Sequence, residues 1–215
     1  SLSKGFGLIH RFSEDIDIRI DPPPAMKVAV GKNQNSAAHC ASRANFYDWL
    51  ATFIEVDGVV SAIRDKQFDD EKSRSGGIRL LYESLTQSNS TLKAGILLEV
   101  GFDEVTPNVP KNISSWAYDF AATKIPLIDN RAIDVPCYHA GFTLVEKLQA
   151  ISTKYRRQQA SGQMPENFMR HYYDVFCLLQ VEEIQSFIGS AQYLEHKKRR
   201  FRGAANAGRI GRPGD

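Results

Sequence analysis

The sequence predicts an α+β fold, in which a sheet-containing N-terminal part is followed by a helical C-terminal domain. Ile16, Ile18 and Ile20 recur at every second position, as apolar residues do in a β-strand with one buried face. Three further strand candidates lie before residue 103. After Pro136 the apolar spacing changes to the three- and four-residue repeat of α-helices. This change of period along the chain predicts the fold class.

The N-terminal elements are predicted, in order, from the residues that end them and from the spacing of their apolar residues. The first strand, within 13–20, ends at three consecutive prolines, which cannot donate hydrogen bonds to a sheet. Residues 36–57 are predicted to be a helix, with Phe46, Leu50, Phe53 and Ile54 on its apolar face. The remaining strand candidates are 59–64, 78–82 and 96–102, with a polar turn at 69–77.

The C-terminal part is predicted to contain two helices, 143–157 and 167–189. Residues 103–137 carry four prolines and match no single element. The predicted organisation is therefore a core at 1–137, a helical domain at 138–202 and a flexible tail at 203–215. A basic run from His196 to Arg202 is either a solvated charged surface or a contact for a nucleic-acid backbone.

Composition favours an ordinary globular protein, because 42% of the residues are hydrophobic and 24% are charged. No apolar run is long enough to span a bilayer and no signal peptide is evident, so no membrane association is expected. Cys40, Cys137 and Cys177 are widely spaced and form no CxxC pair. Neither structural zinc nor a disulfide framework is expected, and a reducing cytoplasm fits this usage.

Asp15 and Asp17 are the first candidates for chemistry. Residues two apart on a strand point to the same face, so these two carboxylates repel each other unless a cation lies between them. Oxygen ligands of this kind suit Mg²⁺ or Mn²⁺. Glu99, inside an apolar strand, completes an acidic triad if the two strands are neighbours. The alternatives are a solvated edge strand for the aspartates and an outward-facing position for Glu99.

Lys147 and Asp174 form a second candidate cluster, because each lies in a mainly apolar helix. A buried lysine and a buried aspartate often pair with each other, so a structural salt bridge is one interpretation. In the other, Lys147 holds a triphosphate and Asp174 orients the lysine or a hydroxyl group. Arg11 either contacts phosphate or neutralises Asp15.

Several segments together resemble the AbiEii/AbiGii toxin family, nucleotidyltransferases of the DNA polymerase beta-like superfamily. Residues 1–17 are similar to its first motif, 64–82 to its central region and 97–100 to the strand that carries its third acidic residue. Residues 142–150 and 170–175 are similar to its later lysine and aspartate motifs. The resemblance implies a small mixed nucleotidyltransferase sheet flanked by helices, followed by a helical domain.

The resemblance also implies a reaction and its participants. A nucleotidyl group would pass from a nucleoside triphosphate to an acceptor hydroxyl such as the 3′ end of a tRNA, and a cognate antitoxin would oppose the toxin. The implied catalytic residues are Asp15, Asp17, Glu99, Lys147 and Asp174, of which the first three would hold the metal. The implied nucleotide-binding residues are Ser1, Ser3, Lys4, Arg11 and Lys147.

The family motif begins with a glycine pair upstream of the position at which this sequence starts. That motif is therefore expected to be missing, unless the sequence is a piece of a longer chain. Without it, a catalytically inert module that binds RNA or an antitoxin is the alternative function. A metal-dependent nuclease is a further alternative, because it can use the same carboxylates.

Overall fold

The structure is a computed structural model that describes residues 2–11, 15–84 and 94–201. It divides into two compact units. One, the sheet unit, is Phe12–Glu104; the other, the helix-rich unit, combines Ser1–Arg11 with Val105–Asp215. The mixed α+β class is confirmed. Ser1, Arg202 and the predicted tail at 203–215 lie outside the described residues.

Four strands of the described chain form one mixed sheet in the sheet unit. They are β1 (Asp15–Arg19), β2 (Ser61–Asp65), β3 (Ser75–Leu81) and β4 (Ile96–Gly101), in the spatial order β1-β4-β3-β2. The β1–β4 pair is parallel, whereas the other two pairs are antiparallel. All four predicted strands are present, each shifted by no more than a few residues. β3 begins at Ser75, so the polar turn is shorter than predicted.

Helix α1 (Ala37–Phe53) packs on one face of this sheet. A capping box starts the helix, because Ser36 Oγ accepts the His39 N–H while His39 Nδ1 accepts the Ser36 N–H. Its buried side chains Phe46, Tyr47 and Leu50 join a core that contains Ile78 and Leu98. At Gly76 a Cβ atom would lie 2.6 Å from the Tyr47 ring, so only glycine allows this close approach of helix and sheet.

The helix-rich unit contains a small second sheet that the sequence did not reveal. Strands β5 (Asn108–Ile113) and β6 (Ala132–Tyr138) are antiparallel, with helix α2 (Trp116–Ala121) between them in the chain. This pairing places residues 105–137 in the same compact unit as the helices that follow. For that reason the compact units divide at Glu104, whereas the sequence placed the boundary after residue 137.

Four further helices complete the described part of this unit: α3 (Ala140–Ser161), α4 (Phe168–Leu178), α5 (Glu182–Phe187) and α6 (Ala191–Arg200). The predicted single helix over 167–189 is wrong, because the chain turns between Leu178 and Glu182. Leu178 and Ile184 are both buried in one core. In an unbroken helix, residues six positions apart would lie about 120° apart around the axis, too far apart to share the centre of one apolar face.

Helix α6 also changes the interpretation of the basic run. His196 is only 3% exposed, and its Nε2 lies 3.2 Å from the Tyr138 hydroxyl. Arg200 Nη2 lies 3.4 Å from Glu146 of α3. Lys197 and Lys198 are exposed. The run is therefore amphipathic: part of it packs on α3, and part of it remains available to solvent.

Candidate active site

The candidate metal ligands Asp15, Asp17 and Glu99 all belong to the sheet unit. The β1–β4 register places Asp17 opposite Glu99, and Asp15 shares their face because it is two residues from Asp17. The condition for an acidic triad, that the two strands are neighbours, is therefore met. Strands in a sheet lie about 4.8 Å apart, so the carboxylates of Asp17 and Glu99 are close enough to share one cation.

The surroundings of Asp15 and Asp17 fit both a metal site and a solvated edge strand. Strand β1 is an edge strand, and all five of its residues are exposed. Glu99 is half-buried. Within the described residues, no three His, Cys, Asp or Glu side chains are gathered as a ready metal cluster. The donor set nevertheless fits Mg²⁺ or Mn²⁺, since it is all oxygen and its exposed side chains can rotate toward one another.

The second cluster belongs to the helix-rich unit and has a defined geometry. Asp174 is fully buried and accepts from Arg11 Nε at 2.7 Å and from Arg11 Nη2 at 2.9 Å. Lys147 Nζ lies 3.0 Å from Asp174 Oδ2. One buried carboxylate thus holds two cations, whose side chains are 23% and 25% exposed. The predicted pairing of Lys147 with Asp174 is present, and Arg11 is an additional partner.

Helical spacing explains how the two residues meet. Lys147 is three residues after Leu144 on α3, and Asp174 is four residues before Leu178 on α4, so each shares a face with a buried leucine. Leu144 and Leu178 belong to the same core. Packing of these leucines therefore brings the lysine and the aspartate together.

Arg11 reaches this cluster because the N-terminal segment belongs to the helix-rich unit. Leu2 and Ile9 are buried in the same core as Leu178. The His10 N–H lies 3.3 Å from the Tyr173 hydroxyl oxygen, which accepts its hydrogen bond. No local sequence signal indicates this contact, since Arg11 and Asp174 are 163 residues apart.

Electrostatics keep the cluster charged. Burial alone would raise the pKa of Asp174, but the hydrogen bonds from Arg11 and Lys147 outweigh it and hold that pKa below its ordinary value. The hydrogen bond to Asp174 raises the pKa of Arg11. Burial, assisted by the nearby charge of Lys147, lowers the pKa of His171 and favours its neutral form. The group is therefore a carboxylate between two cations, next to a neutral imidazole.

Of the predicted N-terminal nucleotide contacts, Lys4 and the backbone of Ser3 make interactions within their own unit. The Ser3 carbonyl accepts the Gly7 N–H at 3.0 Å. Lys4 Nζ lies 3.7 Å from the centroid of the Trp116 ring, and burial lowers the pKa of its ammonium group. Ser1 lies outside the described residues. The structure thus groups Arg11 with Lys147 and Asp174, and groups Asp15 with Asp17 and Glu99.

Clustered carboxylates in one unit and a buried carboxylate held by two cations in the other are each arrangements that proteins use in phosphate chemistry. Comparison with known families is specific. A family described as "Nucleotidyl transferase AbiEii toxin, Type IV TA system" matches residues 1–211 of the 215. The chain belongs to this family of nucleotidyltransferase toxins.

No curated protein and no solved structure matches the chain. In the described part of the chain, no helix combines the length and the apolar character that a bilayer crossing requires.

Proposed function

We propose that this protein transfers a nucleotidyl group from a nucleoside triphosphate to an acceptor hydroxyl, such as that at a tRNA 3′ end, and acts in this way as the toxin of a toxin–antitoxin pair. The observation that carries the proposal is the register pairing of Asp17 with Glu99 beside Asp15, in a chain of this family. The carboxylates and the cationic cluster supply the two kinds of group that such a reaction needs.

Asp15, Asp17 and Glu99 would hold Mg²⁺ or Mn²⁺. When bound, the metal supplies Lewis-acid stabilisation of charge on the phosphate oxygens. Glu99 would also help to deprotonate an acceptor hydroxyl that lies within hydrogen-bond reach of its carboxylate.

Lys147 and Asp174 supply the cationic part of the proposal. The Lys147 side chain is 25% exposed beside its buried partner, so its ammonium group can meet a solvent-borne phosphate. There it would neutralise charge that develops on the leaving pyrophosphate, a type of stabilisation that is often the largest single effect in an active site. Asp174 orients this ammonium group through the 3.0 Å contact.

The acceptor is proposed to be RNA, with exposed Lys197 and Lys198 on α6 contributing to its phosphate contacts. The remaining partner in the proposal is a cognate antitoxin. The cytoplasm is the compartment in which nucleoside triphosphates, tRNA and such an antitoxin would meet the protein.

The test is incubation of the protein with total tRNA, Mg²⁺ and each labelled nucleoside triphosphate in turn. Asp17→Asn should abolish labelling while leaving the fold intact, since it removes the charge of an exposed side chain and keeps its size. The matched control is Asp57→Asn, the same chemical change at an exposed turn position, and it should label tRNA like the wild type.

Other outcomes assign other functions. Shortened RNA that carries no label would indicate the nuclease. Binding of RNA with neither label nor cleavage would indicate the inert module. Full labelling by Asp17→Asn would refute the proposed metal ligands.

A further inference from the structure

Arg11 and Asp174 make a two-point contact that the roles assigned above do not use. Arg11 Nε lies 2.7 Å from Oδ1 and Nη2 lies 2.9 Å from Oδ2, so the guanidinium group covers both oxygens of the carboxylate. This fork-to-fork geometry fixes the plane of the carboxylate as well as its position. Lys147 then meets Oδ2 from a second direction.

Charge balance gives this arrangement a consequence for Lys147. A carboxylate paired with one lysine is neutral, and its lysine offers little attraction to a phosphate. With Arg11 also bound, the three groups carry a net charge of +1. The carboxylate is fully buried while both cationic side chains are partly exposed, so the solvent-facing part of this group of three residues is its cationic part.

We propose that Arg11 is a positioning residue: it holds Asp174 in the plane that aims Oδ2 at Lys147, and it supplies the charge that keeps Lys147 attractive to a triphosphate. The inference rests on the proposed function. It differs from a direct phosphate contact by Arg11, because the guanidinium edge that carries Nε and Nη2 faces Asp174.

Two substitutions separate geometry from charge. Arg11→Lys keeps the positive charge but cannot make the fork, whereas Arg11→Ala removes both and leaves a space that free guanidinium ion can occupy. The matched control is Arg131→Ala, because Arg131 makes the same fork to Asp129 within the same unit, at 2.9 Å and 2.6 Å. Asp129 is half exposed, so that pair has no buried charge to orient.

The experiment measures nucleoside triphosphate binding at equilibrium and kcat and KM for transfer, with near-UV circular dichroism to confirm folding. We expect Arg11→Ala to lower kcat/KM about 10–100-fold, the range typical of groups that orient a functional residue. Part of this loss falls on kcat. Millimolar guanidinium ion should restore part of the activity of Arg11→Ala, Arg11→Lys should stay impaired, and Arg131→Ala should match the wild type.

A double-substitution cycle tests whether Arg11 acts through Asp174. In an Asp174→Asn background, Arg11→Lys should cost little further activity, because its target is already altered. Full additivity of the two losses would overturn the proposal and indicate a direct phosphate contact. Wild-type kinetics for Arg11→Lys would overturn it as well, since charge alone would then suffice. If Arg11→Ala does not fold, the Arg11→Lys variant and the cycle still decide the question.

The outcomes separate this inference from the proposed function. Wild-type protein that neither binds a triphosphate nor transfers label overturns the proposed function, and the role of Arg11 with it. Wild-type protein that does both, together with unaltered kinetics in the Arg11 variants, overturns only the role of Arg11.

Discussion

Replacement of Asp174 by asparagine tests the energetics of the buried cluster. The amide keeps the shape of the side chain but removes its charge and turns one acceptor into a donor. Three donor contacts converge on the two carboxylate oxygens, at 2.7 Å, 2.9 Å and 3.0 Å. A hydrogen bond to a charged group contributes about 1.5–3 kcal/mol. Asparagine can keep about half of these three contacts, so we expect the helix-rich unit to lose about 2–4.5 kcal/mol of unfolding free energy.

The two tryptophans allow the helix-rich unit to be observed alone. Trp49 lies on α1 in the sheet unit and Trp116 lies on α2 in the helix-rich unit. In a Trp49→Phe background, urea unfolding followed by Trp116 fluorescence reports the second unit. The control is Asp129→Asn, which breaks an exposed pair with Arg131 and should leave the unfolding free energy close to that of the wild type.

The pH dependence provides a second check with a definite sign. Because the pKa of Asp174 is lowered in the folded protein, its contribution is fully present above the unfolded-state pKa of about 3.9 and is lost as pH falls through the folded-state value. The stability difference between wild type and Asp174→Asn should therefore be constant near neutral pH and shrink in acid. An Asp174→Asn variant no less stable than the control would refute the reasoning, as would a difference that grows below about pH 4.

Two further predictions concern packing and protonation elsewhere. Gly76→Ala should destabilise the sheet unit by about 1–3 kcal/mol in urea unfolding, because the new methyl group would lie 2.6 Å from the Tyr47 ring; wild-type stability would contradict the close approach. The pKa of His196 is lowered by burial and by the adjacent Arg199, so stability should fall as pH drops through the unfolded value of about 6.5. His196→Gln should show a shallower fall between about pH 7.5 and pH 5.5, and an unchanged slope would contradict the assignment.

The local elements of this protein are determined by the sequence. The strand of Asp15 and Asp17, helix α1 and the strand of Glu99 were all predicted from the local spacing of apolar residues. The face of Ile16 and Ile18, which this spacing predicts to be buried, is exposed in β1. The same patterns identified Lys147 and Asp174 as polar residues in apolar helices. Resemblance to the family then supplied the expected fold and chemistry, and the family itself is confirmed.

Only the tertiary structure decided which residues meet. The order β1-β4-β3-β2 brings Asp17 opposite Glu99, and the burial of Leu2 and Ile9 accompanies the contact of Arg11 with Asp174. In the structure, the helix predicted over 167–189 is also interrupted after Leu178. These outcomes depend on contacts between residues far apart in the chain. The energies of such contacts come from packing and from the pairing of buried charge, and neither can be predicted from a local repeat in the sequence.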